Sequence, residues 1–186
     1  MDKTILMLSG YSCSGKDTLA DFLVKKYSFC KLSFADSLKK LVISKYSLDP
    51  ELVYTQEGKK SEILIRKVNG IEVYSKISVR NLLILEGMEA RKSDPDIWTK
   101  KVIDQIELHK DYSRFVISDF RFPNEYKLLK EKYNGYVKTI RISRPDILIS
   151  KDPSEHQLDY FIFDYAIDND STIDNFFNKV NFLHLG

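Results

Sequence analysis

A short apolar run that breaks into a glycine-bounded loop, and then into a helix, constrains this chain more than any other feature. Thr4-Ile-Leu-Met-Leu8 is continuously apolar and stops at Ser9-Gly10, which predicts a strand buried on both faces of a parallel sheet. From Lys16 to about Tyr27, Leu19, Phe22 and Leu23 recur at the spacing of one helical stripe. Between the two lies Gly10-Tyr-Ser-Cys-Ser-Gly15-Lys16, the spacing G-x-x-x-x-G-K. A loop leaving a buried strand and entering a helix points successive backbone N–H groups inward, and the helix dipole adds about half a positive charge there. Polyphosphate oxygens suit that place. Gly10 and Gly15 permit close backbone approach, Ser14 lies inside the loop, and Lys16 can bridge the outer phosphates of a donor such as ATP.

The rest of the chain continues the alternation. Lys31–Phe34 reads as a second strand and 36–46 as a helix with Leu38, Leu41 and Val42 on one face, capped by Asp36 or Ser37. Asn69-Gly70, between ILIRKV and IEVY, signals a tight hairpin. Ser78 opens a helix that stops at Gly87, and Asp94-Pro95 caps another carrying Trp98, Val102, Ile103 and Ile106. Phe115–Ser118 is a buried strand, followed by Phe122-Pro123 and a helix to about Tyr133. Val137–Ile142 reads as a strand, 153–160 as a short helix, 163–167 as a last strand and 172–182 as a closing helix. The expected class is α/β: a parallel sheet with helices on both faces, three layers in all, and ligands at the carboxyl ends of the strands. No repeat or linker divides the 186 residues, so one domain is expected, with the hairpin region and the segment near Ser150 as insertions.

Composition narrows the function. Lys+Arg 29 against Asp+Glu 27 leaves a formal charge of +2, without the excess of a dedicated nucleic-acid binder. Cys13 and Cys30 have no CxxC spacing, which argues against a zinc site or disulfide scaffold and for a reducing compartment. The first apolar run is too brief for a signal peptide or membrane span, so a cytoplasmic location is expected.

Several charged residues stand where phosphate chemistry needs them. After Lys16 comes Asp17, where a hydroxyl usually meets magnesium, with Thr18 one step later. Asp17 can meet the metal directly or through water, or hold an arginine. Asp119 follows the strand FVIS, at a carboxyl end where a carboxylate organises Mg2+ or its waters. Arg121 faces the same crevice with a fork suited to phosphate. Asp36 and Lys39 also follow a strand, with a helix cap and a solvated face as the plainer roles. Trp98 sits on an apolar stripe and reads as core rather than as a base-stacking platform.

GYSCSGKDTLADF, SFADSLKK, VRNLLILEGMEARKSDPDIW, VISDFRFPNE, IRISRP and FDYAIDND, in this order, resemble the phage-type deoxynucleoside monophosphate kinases nearly end to end. GKDT and SDxR are the most specific pieces. The resemblance implies a P-loop NTPase-type fold with an acceptor-binding insertion at about 36–110 and a lid at about 144–160. It implies transfer of the ATP γ-phosphoryl group to a deoxynucleoside monophosphate, with Mg2+. It further implies that Lys16, Asp119, Arg121 and Arg91 serve the transfer, that Asp36, Lys39, Arg80, Arg91 and Arg121 meet the acceptor, and that Asp17, Thr18 and Asp119 serve the metal. Gly10, Ser14, Gly15, Lys16, Asp17 and Thr18 would hold ATP, with Arg144 from the lid and Asn169 near the adenine. His156 then reads as a lid surface residue, because the transfer needs no histidine base.

Animal-type phosphomevalonate kinases share GKDT-like and SDxR-like segments, so phosphomevalonate is the rival acceptor. A nucleotide sensor without turnover is the alternative from another class, but its mark would be missing arginines, and Arg80, Arg91, Arg121 and Arg144 are all present. Base preference, ribose selectivity and the choice between monomer and homodimer have no local signature.

Overall fold

Strands short enough to be buried on both faces, joined by amphipathic helices, can satisfy their backbones only by pairing side by side under helical cover. The computed structural model, which describes residues 3–68, 71–149 and 152–180, follows that plan. In chain order the elements begin β1 (Thr4–Ser9), α1 (Lys16–Tyr27), β2 (Cys30–Leu32), α2 (Phe34–Tyr46), α3 (Pro50–Tyr54), α4 (Gln56–Lys60), β3 (Glu62–Val68) and β4 (Ile71–Ser78). They continue α5 (Val79–Ser93), α6 (Ile97–Leu108), β5 (Arg114–Ile117), α7 (Pro123–Lys132), β6 (Val137–Ser143), a 3-10 turn (Pro153–Glu155), β7 (Tyr165–Asp168) and α8 (Ile173–Asn178). The expected turn at Asn69-Gly70 lies outside the described residues.

Two compact units emerge, one of residues 1–34 and 99–186, the other Ala35–Trp98. In the first, five strands pair in the order β2-β5-β1-β6-β7, every pair parallel. The order reverses at β1, so the loop leaving its carboxyl end opens at a topological switch point, where ligands of such sheets bind. Leu6 and Leu8 pack into one cluster with Leu19, Ala20 and Leu23 of α1 and Phe176 of α8. Ile5 and Met7, on the opposite face by alternation, are just as buried. The central strand is thus covered on both sides, as the three-layer reading requires.

The second unit holds α2 to α5 and the two-stranded antiparallel β3–β4 sheet. Val42, Ile65 and Leu82 form its buried centre, with Leu38, Tyr46 and Ile77 packed around them.

Several boundaries differ from expectation. Helix α2 begins at Phe34, so neither Asp36 nor Ser37 caps it; the Phe34 N–H donates instead to the Asp119 carboxylate at 2.8 Å, and the second strand ends at Leu32. Ser78 does cap α5, accepting from the Asn81 N–H, but the helix runs through Gly87 to Ser93. Gly87 is a packing residue: a Cβ there would meet Leu38 at 3.0 Å. Asp94 stands one turn ahead of α6, its carboxylate taking the Asp96 N–H and its carbonyl the Ile97 N–H. Only Pro153–Glu155 of the expected 153–160 helix is helical, as a 3-10 turn started by Asp152 accepting from the Ser154 N–H. The closing helix spans Ile173–Asn178 and is capped by Thr172; the end expected at Phe182 falls outside the described residues.

Candidate active site

The loop between β1 and α1 owes its shape to three residues with positive φ: Gly10 at 151°, Cys13 at 65° and Gly15 at 107°. A Cβ on Gly10 would lie 2.3 Å from the Ile142 carbonyl oxygen, and one on Gly15 would lie 2.7 Å from the Asn169 amide nitrogen. Gly10 is therefore required by close backbone approach as well as by conformation, and Gly15 by its conformation. Asn169 fixes the loop from the far end of the chain, its side-chain amide donating to the Ser14 carbonyl at 3.0 Å. The Ser14 hydroxyl is fully buried and, among the described residues, has no partner, an orphan that a phosphate oxygen would satisfy.

Lys16 curls back over this loop and donates to the Gly10 and Tyr11 carbonyls at 2.7 and 2.8 Å. Burial, and then the Arg121 guanidinium, draw its ammonium below the ordinary lysine value, while Glu155, Asp17 and Asp119 act the other way. Lys16, Asp17, Asp119 and Arg121 thus share one electrostatic neighbourhood. Asp17 pairs with Lys31 of β2 at 2.9 Å, not with an arginine. Burial raises its carboxyl, but the hydrogen bond and charge of Lys31 outweigh this and leave Asp17 below its usual range. Thr18 is exposed on the first turn of α1.

Asp119, just beyond β5, accepts from the Ser33 hydroxyl and from the Phe34 N–H, both at 2.8 Å. It therefore caps α2 from a distant strand. The buried Glu125 carboxylate takes the Arg121 and Phe122 N–H groups and fixes the turn after it. The Arg121 guanidinium pairs with Glu155 at 2.7 Å and donates to the Ser154 hydroxyl at 3.0 Å. The second Glu155 oxygen accepts the Ser12 N–H of the glycine loop at 2.8 Å. Nearby, Asp159 accepts from the Tyr11 hydroxyl, pairs with His156 at 2.8 Å and meets Arg141 at 3.4 Å. Arg141 lies over the Tyr11 ring, 4.7 Å from its centroid. Arg144 is exposed beyond β6 and makes no hydrogen bond or ion pair among the described residues.

Asp36, Lys39, Arg80 and Arg91 belong to the second unit. Asp36 lies 3.6 Å from Lys39, whose ammonium stands 4.8 Å from the Tyr54 ring centroid. Arg80, in the first turn of α5, donates to Gln56 at 3.0 Å. Arg91 lies in the last turn of α5 rather than after a turn, because the helix does not stop at Gly87. Eleven residues separate the two arginines, about three turns and roughly 16 Å on one face. Trp98 is 3% exposed, a core position.

No family model matches the chain. A protein of Acanthamoeba polyphaga mimivirus bearing the name "Putative deoxynucleotide monophosphate kinase" is 30% identical over 189 residues, covering 95% of this chain and 93% of its own. The chain belongs to the deoxynucleotide monophosphate kinase family. Among solved structures, a sugar kinase from Janibacter sp. HTCC2649 aligns with 99% of this chain and 96% of its own at 12% identity and a TM-score of 0.52. Dephospho-CoA kinase from Campylobacter jejuni aligns with 98% and 96% at 16% identity and a TM-score of 0.50. At such identities the likeness is one of fold, the P-loop kinase α/β sheet.

For a deoxynucleotide monophosphate kinase family member the donor set suits magnesium, which takes hard oxygen ligands and completes its shell with phosphate oxygens and water. Asp17, Thr18 and Asp119 carry oxygens of that kind, Asp17 being paired here with Lys31 and Asp119 with Ser33 and Phe34. Among the described residues no three or more His, Cys, Asp or Glu side chains form a metal cluster by themselves. Sequence reasoning missed Glu155 and Arg141 as neighbours of the loop, and Tyr11 as the loop residue that meets Arg141 and Asp159. No local pattern links Ser12 to a carboxylate 143 residues away. No helix among the described residues is long and apolar enough to cross a membrane.

Proposed function

We propose that the chain transfers the γ-phosphoryl group of ATP to a deoxynucleoside monophosphate, giving the diphosphate and ADP. The observation that carries the reading is the glycine loop at the switch point of the sheet. Inside it lies the buried Ser14 hydroxyl, without a partner among the described residues, and Lys16 is folded over its mouth. The loop amides and the α1 N-terminus hold the donor phosphates. Lys16 leaves the Gly10 and Tyr11 carbonyls for the β- and γ-phosphate oxygens, and Arg121 neutralises charge on the moving group. An oxygen of the acceptor phosphate attacks the γ-phosphorus as the bond to the ADP oxygen breaks. That oxygen is already anionic, so no general base is needed. Mg2+, when bound with the donor, would be held from Asp17, Thr18 and Asp119 and would offset phosphate charge. Asp36, Lys39, Arg80 and Arg91 are assigned to the acceptor, and Arg144 and Asn169 to the donor.

A coupled ADP assay over all ribo- and deoxynucleoside monophosphates, with phosphomevalonate included, tests the reading. ADP should appear only when a deoxynucleoside monophosphate is added, and Lys16→Ala should lose at least ~100-fold in kcat. ADP release that needs no acceptor, or that answers to phosphomevalonate alone, refutes it.

A further inference from the structure

Glu155 does something unusual for a carboxylate beside a phosphate site. One oxygen takes a backbone N–H of the glycine loop at 2.8 Å, the other takes the Arg121 guanidinium at 2.7 Å, and the side chain is only 6% exposed. A loop amide and an arginine fork are the donors an anionic phosphate oxygen would use. The residue is delivered there by design of its surroundings. Asp152 starts the 3-10 turn that ends at Glu155, Leu158 is buried, and Phe161 packs edge-on against Phe120 and Tyr126. Asp159 adds a second tie to the loop through Tyr11.

We infer that Glu155 is a tethered competitor of the donor: in the nucleotide-free chain its carboxylate fills a phosphate position, and it must withdraw before ATP or ADP can seat. The inference rests on the donor-site reading above. Because the competitor is covalently attached, it reduces apparent affinity by the fraction of chains in which the site is open. Two hydrogen bonds to an ionised group keep that fraction small. Withdrawal also frees Arg121, so one movement empties the site and arms the arginine.

Calorimetric titration of the full chain with ADP, and separately with inorganic tripolyphosphate, tests this. Glu155→Gln and Glu155→Ala should each bind roughly tenfold more tightly than the parent. Neutralising a nearby charge could itself attract anions, so Glu155→Asp is the deciding variant. It keeps the charge but is one methylene too short to span Ser12 and Arg121, and it should also tighten binding severalfold. Parent chain that binds ADP with unchanged or weaker affinity in Glu155→Asp overturns the inference and leaves the donor site standing. Failure of the parent and all three variants to bind either probe removes the donor-site reading, and the inference with it. Thermal melts of each variant show that a change in binding is not a change in folding.

Discussion

Asp119 stands at the carboxyl end of a central strand, where two roles meet: the proposed one of a magnesium-organising carboxylate and that of a cap for α2. Removing it as Asp119→Ala breaks two hydrogen bonds to the carboxylate, from Ser33 and Phe34 at 2.8 Å each, and leaves the Phe34 N–H without its acceptor. Hydrogen bonds to a charged group contribute about 1.5–3 kcal/mol when buried, and this site is half-buried. The low end applies, so the loss should be about 2–3 kcal/mol. For a chain of this length that lowers Tm by roughly 4–12 °C. Asp119→Asn separates the roles. Its carbonyl oxygen can still accept the Phe34 N–H and its amide can donate to the Ser33 hydroxyl, so stability should fall by only about 1 kcal/mol. The negative charge is gone, and if it organises the metal, kcat should drop ~100-fold. Melting curves and the coupled ADP assay on both variants decide the matter. An Asn variant that melts as low as the Ala variant refutes the capping argument, and one with full activity refutes the role at the metal.

Lys31 holds Asp17 and Asp21 at 2.9 and 2.8 Å, and both carboxylates are well exposed, so Lys31→Met should cost only about 1 kcal/mol at neutral pH. Asp17 sits below its ordinary 3.8, so its share is present above about pH 4 and fades as pH falls through the folded value. Lys31 sits above 10.5, so its share holds below that pH and is lost on titration at more alkaline pH. Denaturant midpoints of parent and variant should therefore differ at pH 7, and the gap should shrink as pH falls below 3.8; a gap that does not shrink in acid contradicts the linkage. Gly10→Ala places a methyl 2.3 Å from the Ile142 carbonyl oxygen and 2.5 Å from the Ser14 hydroxyl. It should destabilise by about 2–4 kcal/mol and abolish ADP binding by calorimetry. A variant that folds and binds normally would show that the loop is not confined as described.

What was legible in the sequence followed from short-range periodicity. The run at Ile5 to Leu8, the two loop glycines and the stripe of Leu19 and Leu23 state β1, the loop and α1 to within a residue, because burial on both faces and one helical stripe leave local marks. The start of α2 was not legible, since its cap comes from a carboxylate 85 residues away. Gly87 reads locally as a stop, yet its meaning is set by Leu38 on another helix, and Arg91 was displaced with it. Lys16 and Ser14 announce themselves through a spacing. The contact of Glu155 with Ser12 has no spacing to announce it, because 143 residues and most of the fold's elements separate them. Distance along the chain, more than chemical subtlety, separates what was read from what was not.

The amide of Asn169 closes on the Ser14 carbonyl across 155 residues, which bears on how the protein is made. A ribosome delivers the glycine loop 155 residues ahead of its clamp. The loop therefore cannot take its final, clamped form on a growing polypeptide until Asn169 has been made.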